Sequence, residues 1–92
     1  MSQGAGGFLM VDIVRLPKQL GVALRRRRRL QGLTQAELGL RAGLRQGTVS
    51  QVENGLETVK LRTMVDLLRA LDLELVIRTR SKGSHDEIEN LF

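Results

Sequence analysis

Four short polar side chains, Gln46, Thr48, Ser50 and Gln51, crowd into one stretch between Gly43 and Gly55. No histidine or paired carboxylate accompanies them, so the chemistry they offer is hydrogen bonding rather than catalysis. A glutamine amide can donate and accept at the edge of adenine in the major groove, while serine and threonine hydroxyls are more permissive. Val49 and Val52 interrupt the polar set at a spacing that turns both to one side of a helix. The polar face is then left outward, as base-reading groups on DNA or as the plain solvated face of a helical bundle.

The rest of the composition removes most alternatives. The chain has 92 residues and no Cys, which excludes disulfides, thiolate metal sites and cysteine nucleophiles. Its one histidine, His85, lies in a polar tail without partners. No Ser-His-Asp set, phosphate loop or metal cluster is visible, so no catalytic residue, metal site or cofactor is expected. Two Phe, no Tyr and no Trp argue against aromatic platforms for single-stranded nucleic acid. No apolar run approaches the roughly 18 residues of a membrane span, and no secretory signal is read. A cytoplasmic, nucleoid-associated location is the expectation. The net charge of +5 suits a polyanionic partner.

Stepwise signals along the chain supply the elements that would hold the polar set. Pro17 suits the first turn of a helix running to about Gln31, with Leu20 and Leu24 one turn apart. Leu16 stands where a Ser or Thr cap is usual, which weakens that start. Gly32 ends the helix. Thr34 and Glu37 have the form of a capping box opening a helix from about Gln35 to Arg41. Gly43 stops it. A third helix starts near Arg45 or Gln46 and stops at Asn54-Gly55. A fourth runs from about Leu61 to Leu71, with Leu61, Met64 or Val65, Leu68 and Leu71 at helical spacing. Gly43 suits the left-handed position of a tight turn, and Gly39 leaves room for the third helix to approach the second. Two short helices so joined read as a helix-turn-helix.

Beyond Leu71 the period changes to two. Leu73, Leu75 and Ile77 alternate with Glu74, Val76 and Arg78, as in a β-strand. One strand cannot satisfy its own backbone. Its partner is either the β-prone stretch Phe8 to Val14 or the same strand of a second subunit. Residues 1–14 are expected to form a flexible arm, 15–80 the folded domain and 81–92 a flexible acidic tail. Met1 and Met10 are both candidate translation starts.

The stretch from Leu33 to Gly55 resembles the Cro/C1-type (XRE) helix-turn-helix family. It matches at Leu33, Thr34-Gln35, Glu37-Leu38, Gly43, Val49 and Glu53-Asn54-Gly55. The resemblance implies a mainly α, four-helix lambda-repressor-like domain whose third helix enters the major groove of duplex DNA. It places Gln46, Gly47 and Gln51 at base-reading positions, with Arg45 and Thr48 beside them. It places Gln35 at a phosphate, where the second helix's N-terminus also offers free amides. Thr34, Ser50, Arg26 and Lys60 are the further phosphate candidates. It aligns Arg28 and Glu53 with a salt bridge tying the first helix to the third. Gly47 departs from the pattern, since it has no side chain to read with, and this shifts specificity toward Arg45, Gln46, Gln51 and DNA shape.

Five consecutive arginines, Arg25 to Arg29, precede that unit. At about 100° per residue they point all round a helix and cannot share one ligand. With Arg28 committed to Glu53, the others face solvent or phosphate.

The opening Leu16-Pro17-Lys18-Gln19-Leu20-Gly21, the strand from Leu73 and the acidic tail are together similar to the HipB-type antitoxins. That resemblance implies a homodimer closed by paired strands through Leu73, Leu75 and Ile77. It implies repression of its own operon at an inverted-repeat operator, and binding to a HipA-type kinase toxin. Residues Ile88 to Phe92 would be a docking segment or a degradation signal. A stand-alone repressor or restriction-modification controller, and an interaction module that no longer binds DNA, are the competing readings.

Overall fold

Residues 11–80 are described in the structure, a computed structural model. The expectations for Met1 to Met10, His85 and the tail 81–92 lie outside the described residues. Four helices follow one another: α1 Pro17–Leu30, α2 Gln35–Ala42, α3 Gln46–Glu53 and α4 Leu61–Ala70. Packing pairs α3 with both α2 and α1, and α2 with α4. The mainly helical domain with a helix-turn-helix at its centre is thus as the sequence implied.

Local signals account for the helix ends. Pro17 is the first residue of α1. Leu16 offers no side-chain cap, but Gln19 compensates: its Oε1 accepts from the backbone amides of Arg15 at 2.6 Å and Leu16 at 3.0 Å. The capping box of α2 is complete. Thr34 Oγ1 accepts from the Glu37 amide at 3.0 Å, and Glu37 Oε1 accepts from the Thr34 amide at 2.8 Å. Gly43 ends α2 in the left-handed region, at φ 74° and ψ 32°. Asp72, at φ 60°, turns the chain out of α4, and the Leu73 amide donates back to the Leu68 carbonyl at 2.8 Å.

The core joins all four helices: Leu24 from α1, Leu38 and Ala42 from α2, Val49 and Val52 from α3, Leu67 and the following Leu71 from α4. Leu38 and Val49 are wholly buried. Cutting Leu38 to Ala would cost about 2–5 kcal/mol, because the cavity could not close. Leu20, Leu33, Leu44, Val59, Leu68 and Leu73 pack around this centre.

One stripe differs from expectation. Of the residues at helical spacing Leu71 is buried and Met64 and Leu68 are half-buried, but Leu61 and Val65 are exposed, and Leu67, outside that set, is buried. Arg62, Asp66 and Arg69 share one side of α4 and apolar residues fill a broad arc opposite, wide enough for two overlapping stripes. The core takes the one through Leu67, Leu68 and Leu71, and Leu61 with Val65 is left outward.

No strand occurs among the described residues. Residues 73–80 run without a ladder partner, and Leu75, Val76 and Ile77 are 61%, 66% and 93% exposed. Residues 11–14, the described end of the stretch offered as an intrachain partner, also form no strand. A lone extended segment has no backbone partner within one protomer, which is the physical reason the expected strand is not seen here. The described arm is instead anchored by Asp12, whose carboxylate pairs with Arg26 and with Arg27 Nε at 3.1 Å.

Candidate nucleic-acid interface

The turn between α2 and α3 brings their backbones together. A Cβ on Gly39 would lie 2.6 Å from the Leu44 carbonyl oxygen, which no real side chain tolerates. A second close approach was not anticipated from the sequence. A Cβ on Gly21 would lie 2.5 Å from the Glu53 carbonyl oxygen, so α1 crosses α3 with its backbone almost in contact.

That crossing seats a buried charge cluster. Arg28 Nε donates to Glu53 Oε2 at 2.7 Å, and Arg28 Nη2 donates to Glu53 Oε1 at 2.9 Å. Arg28 Nη1 donates to the Leu33 carbonyl at 2.8 Å. The fork is bidentate, the geometry in which arginine and carboxylate interact most strongly. Burial pushes the Glu53 carboxyl up, but the hydrogen bonds from Arg28 and Gln35, the Arg28 charge and the Arg25 bond outweigh it. The net shift is below the ordinary carboxylate value, so Glu53 is ionised at neutral pH. The same hydrogen bond pushes the Arg28 guanidinium above its ordinary value.

Two further groups reach the carboxylate. Arg25 Nε lies 3.4 Å from Glu53 Oε1, and Arg25 Nη2 donates to Asn54 Oδ1 at 3.2 Å. Gln35 Nε2 donates to Glu53 Oε1 at 3.0 Å. Gln46 Nε2 in turn donates to Gln35 Oε1 at 2.7 Å. The sequence reading paired Arg28 with Glu53 and named Gln35 and Gln46 apart from them. It did not anticipate that one hydrogen-bonded path joins them, nor that Arg25 and Asn54 border it.

The other named residues are placed as follows. Arg45 is the N-cap of α3 without a side-chain cap bond, and it is exposed together with Gln46, Gly47 and Gln51. Thr48 and Ser50 are half-buried on α3. A Cβ at Gly47 would meet nothing within 4 Å, so the fold itself does not demand glycine there. Thr34 has its oxygen committed to the Glu37 amide, which leaves its O–H free to donate. Lys60 is the exposed N-cap of α4. Arg26 is paired with Asp12. Leu73 packs on the core, whereas Leu75 and Ile77 are exposed. No group of acidic, His or Cys side chains arranged to hold a metal ion occurs among the described residues. No helix among them is long and apolar enough to cross a membrane.

Comparison with known proteins accords with this geometry. A helix-turn-helix family profile matches residues 24–77. Antitoxin HipB of Escherichia coli strain K12 is 32% identical over 73 residues, covering 79% of this chain and 83% of HipB. An HTH-type transcriptional regulator of Sinorhizobium fredii, y4dL, is 46% identical over 54 residues, of which this chain spans 28% of the length. Among solved structures, HipB in complex with an O2 20mer superimposes with TM-score 0.71 and 31% identity, covering 76% of this chain and 97% of that one. A HipA-HipB-O2-O3 complex gives 0.70 and 30%, over 75% of this chain and 97% of that one. The restriction-modification controller C.AhdI of Aeromonas hydrophila gives 0.59 and 36%, over 63% of this chain and 84% of that one.

Proposed function

The chain belongs to the XRE-type helix-turn-helix family of DNA-binding regulators and is a relative of antitoxin HipB, and from that premise we propose that it is a homodimeric antitoxin. It represses its own operon at an inverted-repeat operator and binds a HipA-type kinase toxin. The observation that carries this reading is the likeness to HipB along most of both chains, in sequence and in fold.

In this reading α3 lies in the major groove. Arg45, Gln46, Thr48 and Gln51 reach base edges, and Gly47 lets the helix come close. Thr34, Gln35, Ser50, Arg26 and Lys60 contact phosphates, which fix register without carrying sequence information. Arg26 must exchange Asp12 for a phosphate to do so. Leu73, Leu75 and Ile77 pair with their symmetry mates, and the exposed apolar groups at Leu61, Val65, Leu75, Val76 and Ile77 support burial in a dimer. The paired strands supply the ladder that one protomer lacks. A cytoplasmic location follows from the proposed role at the chromosome.

The test is a pull-down with the product of the adjacent gene, followed by a gel shift on the operon's own promoter. Co-purification with a shifted inverted repeat is the expected result. A specific shift with no protein partner would replace this reading by the second one, a stand-alone repressor or controller. The 36% identity to C.AhdI favours that alternative. A partner without any shift would leave an interaction module.

A further inference from the structure

One face of α1 stays open in the fold, opposite the Gly21, Leu24 and Arg28 side that packs inward. Val22, Arg26 and Leu30 follow one another at four-residue steps along it, with Arg29 beside them. Val22 and Leu30 are 54% and 63% exposed. These four residues and Arg25 line an open groove of about 340 Å³. An adjoining groove of about 490 Å³ shares Val22 and Arg26 and adds Ile13 and Leu16. The face is therefore apolar with guanidinium groups set among its side chains. Those charges are not saturated. Arg29 meets no acidic group at ion-pair distance among the described residues. Arg26 gives Nη2 to Asp12 and keeps other N–H donors, since a guanidinium carries five.

Asp12-Ile13 already shows what this face takes: a carboxylate on Arg26 and Arg27, with an isoleucine lining the groove beside them. The same order, acid then isoleucine, recurs in Asp86-Glu87-Ile88-Glu89, which holds three of the chain's 10 acidic residues and is followed by Leu91 and Phe92. The chain also leaves the helical domain beside this face. Gln31 Nε2, at the C-terminal end of α1, donates to the Leu71 carbonyl at 2.8 Å. From there residues 72–80 carry the chain at most about 32 Å, and residues 81–92 span about 40 Å when extended, long enough to return to α1. The exposed patch at Leu61 and Val65 suits an acidic segment less well, because Asp66 already pairs with the neighbouring Arg62 and Arg69.

We propose that the acidic segment 86–92 docks on this face of α1, its carboxylates on Arg26 and Arg29 and its apolar side chains on Val22 and Leu30. The tether makes the association intramolecular, with an effective concentration on the order of millimolar, so contacts too weak to hold a free peptide suffice. Arg26 is also a phosphate candidate, and the docked segment competes with the DNA backbone for it. That consequence rests on the proposed function, whereas the docking does not. It acts most on unrelated duplexes, where backbone contacts supply nearly all the affinity.

The chain has no Cys, so Ser84→Cys gives one attachment point for a nitroxide on the full-length protein. Amide NMR spectra are recorded at low salt without DNA, for the parent tail and for Glu87→Lys with Glu89→Lys. The expected result is broadening of Val22, Arg26, Arg29 and Leu30 relative to α3, Leu61 and Val65, and loss of that broadening in the charge-reversed tail. Adding Arg26→Glu and Arg29→Glu to the reversed tail should restore it. Broadening that is absent, or equal with both tails, overturns the docking. Val22 and Leu30 signals that shift with protein concentration whichever tail is present give the face to a second copy and overturn it as well. Fluorescence anisotropy on an unrelated duplex then tests the competition with Glu87→Gln and Glu89→Gln, which add no cation. Binding is expected to tighten severalfold at low salt. Unchanged binding beside a positive NMR result overturns the competition and leaves the docking.

Discussion

Arg28 Nε lies 2.7 Å from Glu53 Oε2 with both side chains nearly out of solvent, 9% and 1% exposed. Twenty-five residues of chain separate the two groups, and their contact fastens α1 to the C-terminal end of α3. Removing one partner strands the other's charge in the interior. Arg28→Ala is therefore expected to destabilise the fold by about 3 kcal/mol, in the range for broken buried pairs. Urea denaturation followed by circular dichroism measures this. A loss below about 1 kcal/mol would mean that the pair is as weak as a surface one.

The same pair sets a pH dependence. Glu53 has its carboxyl held below the ordinary value of 4.5 in the folded state. The stability this contributes is fully present above that ordinary value and is lost as pH falls through the lower folded one. Glu37, whose carboxyl is lowered by the Thr34 amide and hydroxyl, acts in the same direction. Thermal melts of the parent chain and Glu53→Gln should thus differ most near pH 7 and draw together as pH falls below the ordinary carboxylate value. A gap that stayed constant down to pH 3 would show that Glu53 does not titrate with unfolding.

Arg26→Ala should weaken DNA binding evenly across sequences and reduce the slope of log affinity against log salt by about 1. Asp12 holds Arg26 in the free protomer, so Asp12→Asn should act oppositely and strengthen binding to unrelated duplexes. Titrations at several salt concentrations separate these effects. A loss confined to some DNA sequences would exclude a phosphate role for Arg26.

Leu75→Asp should yield monomers in sedimentation velocity, because a charge would be buried among the paired strands. Leu75 is 61% exposed in one protomer, so the substitution should leave the helical fold intact. A dimer that survived the change would place the interface elsewhere, with Leu61 and Val65 the next residues to alter.

Much of this architecture was legible from local signals. Pro17, the Thr34–Glu37 capping box, Gly43 and Gly55 mark helix ends by chemistry confined to a few neighbouring residues. Gly39 was legible too, since a tight turn demands a small residue where two helices cross. The inward face of α4 was not, because Leu61, Met64, Val65, Leu67, Leu68 and Leu71 allow two stripes and only tertiary packing chooses between them. Nor was the path Glu53–Gln35–Gln46, which joins residues distant in sequence through side-chain orientation. Spacing gives no account of which end of an amide faces which neighbour. Asp12 was missed for a related reason: five arginines drew attention as free cations, and the carboxylate that meets two of them lies more than ten residues earlier. The extended stretch after Leu73 was visible as a period of two, yet a strand is a property of a pair, and one protomer holds only half.

The most direct test of the central claim is selection of random duplex DNA by the purified full-length chain, followed by footprinting on the enriched sequence. The account predicts an inverted repeat protected by two protomers. Its half-site centres should lie about 10 base pairs apart or a multiple of that, as two-fold-related recognition helices on one face of the duplex require. Enrichment of no sequence, with binding that fades uniformly as salt rises, would contradict it and reduce the +5 charge to non-specific attraction.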